Sequence, residues 1–180
     1  MKIKRICVYC GANSGNNPEF AKAAKELGHL IAAHKIELVY GGGKAGLMGV
    51  VADAVIEKQG TVIGIIPQSL VRQEHAHHEI TELRVVNSMH ERKATMASMA
   101  DAFIALPGGF GTLEEMFEVL TWSQIGYHEK PVALVNTAEY YTHLRTFVDH
   151  AISTGLIRQE YARYFQVAET PAKAMDMILR

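Results

Sequence analysis

Phe103-Ile104-Ala105-Leu106, then Pro107-Gly108-Gly109-Phe110-Gly111-Thr112, then a stretch of helical periodicity to residue 124, place three signals in a row. A continuously apolar run suits a strand that is covered on both faces. A glycine-rich turn directly after it, leading straight into a helix, makes half of a crossover unit. Outward from this stretch the same order recurs. Strand-like runs lie at 3–9, 36–40, 61–66, 82–86, 102–106, 131–135 and 164–168, and helical periodicity at 19–33, 47–58, 89–99, 112–124, 140–153 and 171–179.

That alternation predicts an α/β fold: a Rossmann-like, doubly wound, mostly parallel sheet of about seven strands, with helices on both faces. No Pro-, Gly- or Ser-rich linker interrupts the 180 residues, so one domain over 1–180 is expected. Hydrophobic residues at 48% and charged residues at 21% leave no segment polar enough for disorder. A formal net charge of -1 provides no electrostatic footprint for nucleic acid or an anionic membrane. The apolar run after Met1-Lys2-Ile3-Lys4-Arg5 is too short for a signal peptide, and a cytoplasmic protein is expected.

In a doubly wound sheet, ligands sit beyond the carboxyl ends of the strands. Three glycine-bearing turns fall there: Cys10-Gly11-Ala12-Asn13-Ser14-Gly15-Asn16, Gly41-Gly42-Gly43-Lys44-Ala45-Gly46, and Pro107 to Thr112. Glycine lets main-chain N–H groups approach an anion, and a following helix adds its positive end. Together the turns favour a phosphate-bearing ligand. Gly41, Gly43 and Gly46 match G-x-G-x-x-G, but they follow the second candidate strand and lack the acidic ribose partner, which argues against NAD. No G-x-x-x-x-G-K-[ST] is present.

Arg92 and Lys93 fall in the first turns of a helix, where cations oppose the dipole unless an anion meets them. Glu114 and Glu115 follow a glycine turn. One account is structural, with Thr112-x-x-Glu115 forming a capping box; the other is chemical, with a carboxylate acting on the ligand beside its phosphate. His75, His77 and His78, flanked by Glu74 and Glu79, have spacing that is unspecific for a metal and suit a solvated or substrate-covering loop. Cys7 and Cys10 are spaced C-x-x-C, yet three positions along a strand they point to opposite faces and read as buried hydrophobes.

Met89-His90-Glu91-Arg92-Lys93 followed by Pro107-Gly108-Gly109-Phe110-Gly111-Thr112-Leu113-Glu114-Glu115 resembles the paired signature M-x-x-R-K and P-G-G-x-G-T-x-x-E of the Lonely Guy (LOG) family. These are cytokinin-activating phosphoribohydrolases, often mislabelled lysine decarboxylases. The resemblance extends through Tyr40-Gly41-Gly42-Gly43 and Gly46-Leu47-Met48-Gly49 and covers nearly the whole chain. It implies a homodimer that hydrolyses a purine nucleoside 5′-monophosphate to free base and ribose 5-phosphate, without metal or organic cofactor. It implies Arg92 and Glu115 as the catalytic pair. Glu74, Lys93, Gly108, Gly109, Phe110, Gly111, Thr112, Leu113, Glu114 and Thr121, with Gly42 and Gly43, are implied as substrate contacts. Trp122 and Ile125 are candidate dimer residues. The rival is a non-catalytic carrier of nucleotide or molybdenum cofactor, against which the retention of both Arg92 and Glu115 counts.

Overall fold

The computed structural model describes residues 3–72 and 75–180. Each apolar run becomes a strand: β1 (Arg5–Tyr9), β2 (Glu37–Tyr40), β3 (Val62–Pro67), β4 (Glu82–Val86), β5 (Ala102–Ala105), β6 (Val132–Val135) and β7 (Gln166–Ala168). Each periodic stretch becomes a helix: α1 (Pro18–Ala33), α2 (Gly46–Glu57), α3 (Met89–Met99), α4 (Phe110–Gln124), α5 (Thr142–Ser153) and α6 (Pro171–Ile178).

Local chemistry sets several of these boundaries. The Asn17 side chain accepts from Glu19 N–H and Pro18 supplies the first helical φ of α1, after which Ala23, Leu27 and Ile31 repeat at four-residue intervals on the buried face. Thr170 and Pro171 start α6 in the same way.

All strand pairs are parallel, in the order β4-β3-β2-β1-β5-β6-β7. Side chains alternate across the sheet. Ile6 and Val8 of β1 and Ile104 of β5 pack with α1, α2 and α6. Cys7 and Tyr9 of β1 and Phe103 of β5 pack on the other face with α3 and α4, where α5 joins through a cluster around Ala105, Met116 and Tyr141. Each fully buried Leu or Ile of these layers contributes roughly 1.5–3 kcal/mol. Cys7 and Cys10 fall in opposite layers, as their spacing requires.

The chain winds from β1 outward through β2, β3 and β4, then returns to place β5 on the other side of β1. The carboxyl ends of β1 and β5 are therefore the topological switch point, where the loops leaving two adjacent strands diverge and open a crevice. Among the described residues, no helix is long and apolar enough to cross a membrane.

Candidate active site

A cavity of about 430 Å³ occupies that switch point, within the usual range for small-molecule sites. Cys10 to Gly15 after β1 form one wall, and Pro107, Gly108, Gly109, Gly111 and Thr112 after β5 form another. Arg92 reaches in from α3, Glu114 and Glu115 from α4, and Leu47 and Met48 from α2, with Phe20 and Tyr140 also lining the space.

The start of α4 is open to an anion. Its N-cap is Gly109, and no side chain caps it, whereas Asn17, Ser88 and Thr170 cap α1, α3 and α6. The first bond of the helix runs from Leu113 N–H to the Gly109 carbonyl at 3.1 Å, so the N–H groups of Phe110, Gly111 and Thr112 have no carbonyl within the helix. Of the two accounts of Thr112-x-x-Glu115, the capping box does not start this helix, whose N-cap is Gly109. Thr112 is the third helical residue, and the N–H groups that follow it, from Leu113 onward, already belong to the helical ladder. A reciprocal cap lies instead on α3, where Ser88 Oγ accepts from Glu91 N–H at 3.1 Å and Glu91 Oε2 accepts from Asn87 N–H at 2.8 Å. Gly108 fits a crowded corner: a Cβ there would lie 2.1 Å from Thr112 Oγ1 and 2.8 Å from Gly11 N.

Arg92 is 5% exposed. Its Nη2 donates to the Gly41 carbonyl at 3.0 Å, which ties the guanidinium to the turn after β2. Residue 41 must be glycine for this contact, because a Cβ would meet Nη2 at 2.0 Å. Glu115, half-buried, lines the same cavity. Both charges act on the Cys10 thiol, which lines the same cavity. Burial pushes that thiol up most, the Glu115 carboxylate adds to the rise, and the Arg92 guanidinium partly offsets it.

The remaining expected residues divide. Lys93 lies outside the cavity lining, and its ammonium donates to Glu114 and, at 3.1 Å, to Glu118, bracing α3 against α4. The Glu114 contact is the main reason its pKa stands above the ordinary lysine range. Phe110 is 94% exposed, and Leu113 turns to the other side of α4, against the cluster of Ala105, Leu134 and Tyr141. Thr121, exposed, donates to the Phe117 carbonyl at 2.7 Å. Glu74 falls outside the described residues.

Gly42 and Gly43 do not line the cavity either; they hold the histidine segment. His77 N–H donates to the Gly42 carbonyl at 2.9 Å, Lys44 N–H donates to the His75 carbonyl at 2.9 Å, and Gly43 bridges Ala76. His77 is wholly buried, with Nε2 2.9 Å from Asp53 Oδ1. Among the described residues, no group of three or more His, Cys, Asp and Glu side chains could hold a metal ion. Phe20 and Tyr140 were not singled out from the sequence; only the fold brings them to the cavity.

The chain aligns over 98–99% of its length with solved structures of the molybdenum cofactor binding protein from Rippkaea orientalis and the molybdenum cofactor carrier protein from Chlamydomonas reinhardtii. The TM-scores are 0.71 and 0.75, the identities 25% and 23%, and the alignments cover 96% and 95% of those chains. Curated relatives stand nearer in sequence. Cytokinin riboside 5′-monophosphate phosphoribohydrolase LOG7 of Arabidopsis thaliana is 49% identical over 174 residues, 97% of this chain and 80% of that protein. The phosphoribohydrolase of the same description from Rhodococcoides fascians is 51% identical over 155 residues, 86% of this chain and 78% of that protein. Residues 48–178 match the family model described as possible lysine decarboxylase, and with these relatives the match establishes that the chain belongs to the LOG family.

Proposed function

We propose that this protein is a phosphoribohydrolase that cleaves the N-glycosidic bond of a purine nucleoside 5′-monophosphate, cytokinin riboside 5′-monophosphate or AMP. The observation that carries this reading is the meeting, in one cavity, of an uncapped helix N-terminus with Arg92 and Glu115. The relatives' names point to the same reaction.

The 5′-phosphate sits at the Gly108-Gly109 turn and the first N–H groups of α4, where the helix dipole favours negative charge. That remote binding energy sets the ribose against the reacting groups. As the C1′–N bond breaks, positive charge builds on the anomeric carbon, and the Glu115 carboxylate stabilises it. Glu115 takes a proton from the attacking water, whose oxygen bonds to C1′ as the C1′–N electron pair leaves with the base, and that proton passes on to the base, which returns Glu115 to its carboxylate. Arg92, held by Gly41, balances the carboxylate and orients it. No metal or organic cofactor enters this scheme. A homodimer and a cytoplasmic location belong to the same proposal; the exposed Phe117, Ile125 and Tyr127, on α4 and just after it, support a second copy on that face.

The test is chromatographic measurement of free base released from AMP and from isopentenyladenosine monophosphate by the wild type and by Glu115→Gln. Release that the substitution abolishes supports the hydrolase, and the ratio of the two rates gives its preference. Tight AMP binding with no release from either nucleotide would replace the hydrolase by a carrier. Sedimentation as a monomer at assay concentrations would remove the homodimer.

A further inference from the structure

Every carbonyl of the turn between β5 and α4 is taken. Leu106 O accepts from Tyr141 Oη at 2.7 Å, Pro107 O from Gly11 N–H at 3.1 Å, Gly108 O from Tyr140 Oη at 2.6 Å, and Gly109 O from Leu113 N–H at 3.1 Å. Two of the four donors are consecutive tyrosines that arrive from the segment between β6 and α5, more than thirty positions away. Tyr141 is 1% exposed and acts from beneath; Tyr140 is 42% exposed and lines the cavity.

The segment is shaped to deliver them. Ala138 (φ 50) and Glu139 (φ 60) are both left-handed, a conformation that non-glycine residues disfavour and that persists only where the surroundings impose it. Asn136 imposes it in part: its Oδ1 accepts from Tyr141 N–H at 2.6 Å, its Nδ2 donates to Thr142 Oγ1 at 3.1 Å, and its N–H donates to the Ala168 carbonyl at 2.7 Å. The Tyr140 ring is further held edge-on to Phe20 and Tyr141.

A planar trans peptide points its N–H opposite to its C=O, and no cis bond occurs among the described residues. Holding the Gly108 carbonyl therefore fixes the direction of the Gly109 N–H. A hydrogen bond received at the carbonyl also polarises the peptide and strengthens that N–H as a donor. Glycine at 108 and 109 has no side chain to restrain this peptide, so the restraint must come from outside.

We propose that Tyr140 is a positioning residue for the 5′-phosphate, its hydroxyl aligning the Gly108–Gly109 peptide so that the Gly109 N–H meets the phosphate oxygens. This rests on the phosphoribohydrolase reading of the cavity. Tyr140 thereby sets the preference for a nucleotide over the corresponding nucleoside, while the chemistry stays with Glu115 and Arg92.

The test is titration calorimetry of AMP, ribose 5-phosphate and adenosine with the wild type, Tyr140→Phe and Tyr141→Phe, alongside steady-state kinetics on AMP. Tyr140→Phe keeps the ring packing and removes only the donor. The expected result is that AMP and ribose 5-phosphate bind about tenfold more weakly, the loss of one hydrogen bond, with adenosine affinity within twofold and the Tm unchanged. KM for AMP rises in step and kcat changes little. A general loosening of the site would weaken adenosine equally and would overturn the proposal, as would AMP affinity in Tyr140→Phe within twofold of the wild type. The comparison of ribose 5-phosphate, the product, with adenosine does not depend on turnover of AMP: a wild type that binds AMP without releasing base defeats the hydrolase reading alone. A wild type that binds neither phosphate ligand defeats both.

Discussion

Arg92 Nη2 and the Gly41 carbonyl are joined at 3.0 Å across 51 positions of sequence, with no room at residue 41 for a side chain. Gly41 is not left-handed, so Gly41→Ala adds steric contact without backbone strain. The added methyl would press on Nη2 at 2.0 Å and on Met48 Sδ at 3.1 Å, and the guanidinium is the group that must yield. A misplacement of this size costs roughly 10²-fold in kcat/KM. Gly41→Ala is expected to lose base release from AMP to about that extent while remaining folded by circular dichroism. Wild-type kinetics in the variant would show that Arg92 tolerates displacement.

The parallel sheet was legible because its signal is local. Runs such as 62–66 and 103–106 are apolar throughout and glycine turns follow them, which leaves few alternatives to covered parallel strands. The cavity walls at Gly11, Gly108 and Arg92 followed from the same reasoning, since ligands sit past the strand ends. The role of Thr112 was not legible. Thr-x-x-Glu satisfies the pattern of a capping box, and only the backbone decides that the helix begins two residues earlier, at Phe110. Nor does any spacing announce that Tyr140 bonds Gly108, or that Gly42 and Gly43 serve the His77 segment rather than the cavity. Those contacts join residues more than thirty positions apart and exist only after the sheet has formed.

Asp53 and His77 form the fastening between α2 and the segment before β4. The imidazole is fully buried, while the Asp53 side chain is 54% exposed, so water can partly replace a missing carboxylate. Asp53→Ala is expected to cost about 1 kcal/mol, the low end for a buried polar group that loses its partner. His77→Ala removes the ring as well and is expected to cost more, about 2–4 kcal/mol, through the cavity it leaves. Urea denaturation of both variants checks the ranking. Equal losses would mean that the carboxylate contact carries the whole fastening.

Cys7 and Cys10 give a chemical probe of the same core. Burial is the largest cause that raises both thiols, and the Glu115 carboxylate adds to it at each. Both stay protonated near neutrality, and the thiolate is the reactive form. Iodoacetamide at pH 8 is therefore expected to leave the native protein unlabelled and to modify both cysteines after unfolding in guanidinium, read by intact-mass spectrometry. Rapid native labelling at Cys10, which borders the cavity, would mean that its wall opens on the timescale of the reaction.

His128 makes the fold sensitive to mild acid. Burial first, and the neighbouring Lys130 charge second, hold its pKa below the ordinary histidine value of 6.5. Its Nδ1 also accepts from Lys130 N–H at 3.2 Å, a contact that a protonated ring turns into donor against donor. The unfolded chain then binds more protons than the native one between the lowered value and 6.5, so stability rises with pH across that window. The contribution is present in full above about pH 6.5 and is lost as pH falls through the folded value. His128→Asn retains an acceptor close to the Nδ1 position but does not titrate. Urea midpoints measured from pH 7.5 down to pH 5 are expected to fall more steeply for the wild type than for His128→Asn. Parallel curves would show that His128 is as readily protonated in the native protein as in the unfolded chain.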